Sequence, residues 1–423
     1  MGVRMNRAAW AQQAALYQIN VRQFTPQGTL AAIEAELPRI AALGVGVLWF
    51  MPIQPIGVAQ RKGGLGSYYS IRHYTEVNPE FGTLADFKRL VERAHGLGLK
   101  VILDWVANHT AWDHPWTTEH PDWYKKDEHG RIHSYVYRPD GGGSVEYWTD
   151  VVGLDWTQPA LWPAMTEAML FWMREAGIDG FRCDVAALVP LGFWAQLRPQ
   201  LEAVRPVFML AEAHEPEMHR HGFDATYDWG LLDQLKRIAQ GEGDARLLQQ
   251  WWAHRLSHYQ PTDLRLLYTA NHDSNSWHGS CLELFGSVPA FKACATLAAL
   301  LPGMPLIYGG QESFFRKRLQ FFEKDPIDWG QHELSAHYRA LFELHRQHPA
   351  LRNEAPGDGE SFHWLPVHEA SGTHEVYRVA AFERRVGPHA VRVVVNLGPQ
   401  AQAVRVAGQA LSLQGWQAEV LSG

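Results

Sequence analysis

Apolar positions along the chain fall into two alternating rhythms. Short unbroken apolar runs, such as Val45-Gly46-Val47-Leu48-Trp49-Phe50, alternate with stretches in which apolar residues recur every third or fourth position, such as Leu30, Ile33, Leu37, Ile40 and Leu43. The unbroken runs suit strands covered on both faces of a parallel sheet, and the wider spacing suits helices packed upon it. The pattern predicts strands at 16–21, 45–50, 100–104, 180–184, 207–211, 225–227, 264–269 and 305–308. It predicts helices near 30–43, 84–97, 159–176, 192–205, 231–256, 289–300 and 334–348. Eight βα units of this kind close most simply as a TIM (β/α)8 barrel.

Two stretches break the rhythm. From about Thr110 to Gly153 the chain is rich in His, Asp, Gly and aromatics, including Trp112, Trp116, Trp123, Tyr124, Tyr135, Tyr137 and Trp148, with little helical period. A structureless loop of that length is uncommon in a compact domain, so a small subdomain inserted after the third strand is expected. After about Leu351 the runs alternate strictly between Gly and Pro turns, as in Val376–Phe382 and Val391–Asn396, which predicts a C-terminal antiparallel β domain. The expected division is 1–109 with 154–350 for the barrel, 110–153 for the insertion and 351–423 for the tail. Gly63, Gly64 and Gly66 lie in a long loop without P-loop register and read as loop flexibility rather than a phosphate cradle.

Composition changes this picture little. The 423 residues, 46% hydrophobic and 20% charged, are those of a soluble globular protein with room for a large core. A net charge of −7 without long charged blocks gives no sign of nucleic acid or an anionic membrane as partner. No h-region follows Met1 to Gln13 and no run is long enough for a membrane helix. Cys183, Cys281 and Cys294 form no paired framework, so a cytoplasmic location is expected. The 18 tryptophans suit sugar stacking, although most should be core.

Four predicted strands end in carboxylates: Asp104, Asp184, Glu212 and Asp273, with His109 and His272 close by. In a TIM barrel the chemistry sits at those C-terminal strand ends. An isolated Arg182-Cys183-Asp184 is most often a structural ion pair, but four acids in one mouth are costly unless used. Glycoside hydrolysis needs such a set. One carboxylate attacks the anomeric carbon and a second, with a raised pKa, protonates the leaving oxygen, the pair standing about 5–5.5 Å apart for retention. Adjacent strands make Asp184 and Glu212 the natural pair. Arg182 should keep Asp184 ionised, while burial and like charges should raise Glu212. Cys183 should face the helices.

With these residues in hand the chain resembles the α-amylase family, family 13 of the glycoside hydrolases. Asp104-Trp105-Val106-Ala107-Asn108-His109, Gly180-Phe181-Arg182-Cys183-Asp184, Glu212 and Asn271-His272-Asp273 match the family's blocks in order and spacing. The resemblance implies that Asp184 is the nucleophile, Glu212 the general acid/base and Asp273 a carboxylate that stabilises the transition state. It implies that Arg182 orients Asp184, that His109 and His272 hydrogen-bond the sugar at the cleavage point, and that Asp104 supports the arginine and the loop. Tyr69, in Gly66-Ser67-Tyr68-Tyr69, aligns with the tyrosine that stacks beneath that sugar, with Tyr68 the alternative one place away.

Many family members hold calcium between barrel and insertion. Asn108 is present here, but the aspartate position is Gly153 and the position of the histidine that lends its carbonyl is Leu188, with Ala187 before it in place of a lysine. Losing a carboxylate weakens an oxygen-ligand site, so no metal or other cofactor is expected. The implied activity is retaining hydrolysis of α-1,4 bonds in maltooligosaccharides or starch-derived glucans. The alternatives are a transglucosylase, a cyclomaltodextrin hydrolase, an α-1,6-glucosidase or a non-catalytic glucan-binding protein. Val185 beside the nucleophile position does not discriminate among linkages, and the oligomeric state is left open.

Overall fold

The computed structural model describes residues 8–138, 143–353 and 360–422. Eight parallel strands close into a barrel: β1 Leu16–Ile19, β2 Val47–Phe50, β3 Lys100–Val106, β4 Gly180–Asp184, β5 Phe208–Ala211, β6 Ala225–Tyr227, β7 Leu264–Tyr268 and β8 Met304–Tyr308. Neighbours follow chain order, and β1 pairs with β8 to close the ring, Leu16 opposite Leu306. All eight strands are buried along nearly their whole length, as their unbroken apolar runs require.

Register decides what the barrel presents at its mouth. Gln18 lies opposite Trp49, Trp49 opposite Ile102, and Asp104 opposite Arg182. Side chains two apart on a strand share a face, so Gln18, Trp49, Asp104, Arg182 and Asp184 form one set. Cys183 belongs to the other face and is fully buried. Gly180 opens β4 because a Cβ there would stand 2.0 Å from the Phe208 carbonyl oxygen. Removing that side chain lets β5 approach β4, and with it Glu212.

Helices Leu30–Ala41, Leu84–Gly96, Leu161–Glu175, Leu191–Glu202, Val288–Leu300 and Ser335–Gln347 cover the barrel. Thr29 caps the first, and Thr83 forms a capping box with Asp86 on the second. The helical segments expected over 231–256 are two helices, Trp229–Ala239 and Ala245–His258, separated at Gly241 (φ +82°), with Asp244 capping the second. One expectation is corrected. Between β5 and β6 there is no α-helix, only a 3-10 turn at Pro216–Arg220, so the βα alternation lapses there.

The stretch after β3 folds its own antiparallel sheet, with Glu146–Gly153 between His109–Ala111 and Ser134–Tyr137. In the tail, strands Glu360–Trp364, Val379–Val386, His389–Asn396 and Ala418–Ser422 form one sheet, and Val367–Glu369, Gln402–Val406 and Gln409–Leu413 another. The first sheet packs on the barrel helices. Phe362 meets Trp252 at 4.4 Å between ring centroids, and Arg384 Nη1 donates to the Leu300 and Leu301 carbonyls.

Candidate active site

A single guanidinium organises the mouth of the barrel. Arg182 is fully buried, and its Nη1 donates to Asp104 Oδ1 at 2.8 Å and to Asp184 Oδ1 at 3.0 Å. Its Nη2 lies 2.9 Å from Glu212 Oε1, an ion pair whose angle is too bent for a hydrogen bond, and its Nε donates to the Tyr227 hydroxyl at 3.1 Å. The rings of Trp49, Tyr69 and Tyr227 surround it with centroids 5.2, 5.8 and 5.7 Å away. The in-register pairing of Asp104 with Arg182 makes the shortest of these contacts inevitable once β3 and β4 align.

A second chain of polar groups crosses the mouth. Gln18 on β1 accepts from the His272 backbone N–H at 3.3 Å, which turns its amide nitrogen toward His272 Nδ1 at 2.7 Å. The imidazole therefore accepts at Nδ1 and carries its proton on Nε2. Nε2 lies 2.7 Å from the Tyr69 hydroxyl, which in turn donates to Asp104 Oδ2 at 3.0 Å. Trp49 Nε1 donates to the same Oδ2 at 3.1 Å. Burial, and then Arg182, hold His272 far below the ordinary histidine range, so the imidazole is neutral and the direction of this relay is set. The Tyr69 ring lies nearly parallel to His272 at 5.5 Å, while Tyr68 packs under Arg22 instead.

Glu212 follows β5 directly. Its Oε2 accepts from the Val185 N–H at 2.8 Å. Val185 has φ +36° and ψ +47°, a left-handed conformation that is strained for a β-branched residue and that costs of order 1–3 kcal/mol. That twist aims the N–H just after Asp184 at the neighbouring carboxylate. Asp273 stands at the start of the turn after β7, its Oδ2 3.2 Å from His272 Nε2 and its side chain 38% exposed.

Three carboxylates share one guanidinium and Asp273 stands near them, so ionising the whole set together is costly. Burial and the nearby Glu212 raise Asp184 well above the usual carboxylate range, despite Arg182. Partial burial and then Glu212 push Asp273 up to about 7, although its side chain stays partly open to water, and burial pushes Asp104 up to about 6 against the pull of Arg182. The expectation that Arg182 lowers Asp184 is thus corrected: the cation is divided among three acids, and burial outweighs its pull on Asp184.

His109 sits at the edge of the insertion sheet, 3% exposed. Its Nδ1 lies 3.1 Å from Asn108 Nδ2, its ring hydrogen-bonds the Tyr69 backbone, and burial lowers its pKa to about 4. All eight residues singled out in the sequence therefore lie in one connected network, His109 joining through the Tyr69 backbone. Gln18, Trp49, Tyr227 and the Val185 N–H were not anticipated. The first three sit inside apolar runs, and their polar tips on the inward parity were the available signal.

The glycines read as loop flexibility are fixed points. Gly64 N–H donates to Glu323 Oε1 at 2.5 Å, Leu65 N–H to the Phe322 carbonyl at 2.9 Å, and Arg22 Nη1 and Nη2 to the Gly66 and Leu65 carbonyls. Gly63 has φ +62°, and a Cβ there would stand 2.4 Å from Phe322 Cβ. The loops after β2 and β8 are thereby strapped together beside Tyr69, whose ring lies 6.3 Å from that of Phe321 at 12°. A cavity of about 530 Å³ lined by His73, Trp116, Glu167 and Phe171 lies against helix Leu161–Glu175, and no acid of the mouth lines it.

An eight-stranded parallel barrel with an arginine-centred ring of carboxylates at its C-terminal end defines a class of protein equipped for acid/base and nucleophilic chemistry on glycosidic bonds. Comparison with known proteins agrees. The family model described as the α-amylase catalytic domain matches residues 6–140 and 146–369. The chain is 27% identical over 409 residues to the α-amylase MalA of Haloarcula japonica, covering 94% of this chain and 57% of that protein. It is 34% identical over 436 residues to the α-1,4-glucan:maltose-1-phosphate maltosyltransferase of Rhodospirillum rubrum, covering 94% of this chain and 58% of that protein. The chain thus spans somewhat under two thirds of these two relatives. Its structure superimposes on that of an α-amylase from Lactobacillus plantarum with a TM-score of 0.83 at 28% identity, covering 98% of this chain and 100% of the other. The chain belongs to the α-amylase family.

Proposed function

We propose that this chain is a retaining glycoside hydrolase that cleaves α-1,4-glucosidic bonds of maltooligosaccharides or starch-derived glucans by double displacement. The observation that carries the reading is the grip of Arg182 on Asp104, Asp184 and Glu212 at adjoining strand ends. Asp184 Oδ1 is engaged by the guanidinium, so Oδ2 is the oxygen that attacks the anomeric carbon. Glu212 gives its proton to the departing glycosidic oxygen and later takes one from water. Arg182 supports Asp184 as the attacking anion. Asp273 faces the hydroxyls of the same sugar, with Tyr69 beneath it, held by the His272 Nε2–H, and His109 at its edge.

Transfer to an acceptor sugar in place of water is a second reading, favoured by the 34% identity to the Rhodospirillum rubrum maltosyltransferase. Both readings keep the division into barrel, insertion and tail. The three free, buried cysteines support a reducing, cytoplasmic setting, and no helix among the described residues is long and apolar enough to cross a membrane. The test is turnover of an activated maltoside by the wild type and by Asp184→Asn. A loss of more than about 1,000-fold is expected for removal of a covalent nucleophile. Equal rates would refute the assignment. Products from maltoheptaose, cyclodextrin, isomaltose, sucrose and maltose 1-phosphate then separate hydrolysis from transfer and fix the linkage.

A further inference from the structure

The family implies a structural calcium between barrel and insertion, and the side chains at that place do not fit one. Gly153 supplies no carboxylate and has no room for one. A Cβ on it would stand 2.7 Å from Tyr135 Cδ2 and 3.3 Å from Lys125 Cδ, and its carbonyl already accepts the Lys125 N–H at 2.9 Å. The nearby carboxylates are committed elsewhere. Asp155 Oδ1 accepts from the Thr157 N–H and hydroxyl, its Oδ2 accepts from Gln158, and Asp150 Oδ1 pairs with Lys62 at 2.9 Å. Among the described residues at this place, Asn108 Oδ1 is left, buried and without a hydrogen-bond partner. Calcium requires about 6–8 oxygen ligands with carboxylates among them, and one amide oxygen does not approach that.

Beside Gly153 stands a lysine that is itself exposed to solvent. The Lys125 stem fills the space beside Gly153, and its ammonium lies 5.1 Å from the Tyr135 ring centroid in the field of Asp155. The Tyr135 ring centroid lies 6.1 Å from that of His109 and 5.1 Å from that of Trp148. We propose that this junction needs no calcium: the Lys125 stem beside Gly153 and its ammonium over the Tyr135 ring brace the insertion strand that carries Tyr135, and Tyr135 in turn steadies His109. The proposal goes beyond the reading of the reaction and does not depend on it, because its test is a melting temperature.

The test is thermal melting of the full chain in EDTA and in excess calcium, for the wild type, Lys125→Met and Lys125→Arg. The wild-type Tm is expected to be the same in both buffers. Lys125→Met, which keeps the stem and removes the charge, is expected to fall by roughly 1 °C, the size of an exposed cation–π contact in a chain this long, with no recovery in calcium. Lys125→Arg should melt with the wild type. A wild-type Tm that falls in EDTA and is restored by calcium overturns the proposal, whatever the variants do. So does a Lys125→Met protein that melts with the wild type.

Discussion

Gln18 offers the sharpest test of how the mouth is set. Its side chain makes two bonds to one residue, accepting from the His272 N–H and donating to His272 Nδ1. Gln18→Leu removes both and leaves two buried polar groups of His272 without partners. At about 1–3 kcal/mol for each, the fold should lose roughly 2–6 kcal/mol, seen as a lower Tm and urea midpoint. The imidazole also loses the bond that keeps its proton on Nε2, so the hydrogen bond toward Tyr69 is no longer enforced. A differential of about 1.4–2.8 kcal/mol between relay orientations corresponds to a 10- to 100-fold fall in kcat/KM. Gln18→Glu separates the two effects. A carboxylate of the same shape still accepts the backbone N–H but calls for a proton on Nδ1. It either reverses the relay or makes His272 titrate near neutrality. The assay is kcat/KM on an activated maltoside across pH, beside Tm. The expected result is a new ionisation in the Gln18→Glu profile with activity falling as pH rises. The reasoning is refuted if Gln18→Leu keeps wild-type kcat/KM, or if both variants lose activity with an unchanged pH profile, since a packing role predicts that outcome.

Two further outcomes follow from the same geometry. Asp104 and Asp273 have folded-state pKa values of about 6 and about 7, above the unfolded value of 3.8, so the folded protein binds more protons between those limits. Their contribution to stability is therefore complete below about pH 4 and is lost as pH rises through 6 to 7. Asp273→Asn should flatten the decline of Tm over that window, and an unchanged slope would show that Asp273 does not carry it. Gly63→Ala places a Cβ against Phe322 at a positive φ, so it should cost at least about 1 kcal/mol and loosen the strap beside Tyr69. Faster proteolysis between residues 58 and 66, with KM rising more than kcat falls, is the expected readout.

The barrel was legible because its strands are covered on both faces and so are written as unbroken apolar runs. Gly180–Asp184 and Ala225–Tyr227 appear in the structure with the bounds read from the sequence. The four acids were legible because Asp104, Asp184 and Glu212 each follow such a run directly and Asp273 stands a few residues beyond one. What escaped notice depends on partners far along the chain. Gln18 looked like one polar residue within an apolar strand until the fold set it against His272. Gly63 and Gly64 resembled any loop glycines, since the contacts that require them come from Phe322 and Glu323. The charge on Asp184 was misjudged for a related reason. The sequence shows Arg182 beside it, and only the fold shows that Asp104 and Glu212 share the same guanidinium.

Closure of the ring bears on how the molecule comes into being. β1 pairs with β8 across most of the length of the chain, Leu16 with Leu306, and the Gln18–His272 bond bridges from β1 to the end of β7 across that seam. Until β8 has been synthesised, β1 and β7 expose raw sheet edges of the kind that recruit other chains, and this late, non-local pairing is the slow and vulnerable step of folding. Because the imidazole is steadied only when both sides of the seam meet, the first detectable turnover during refolding would time the shutting of the barrel itself.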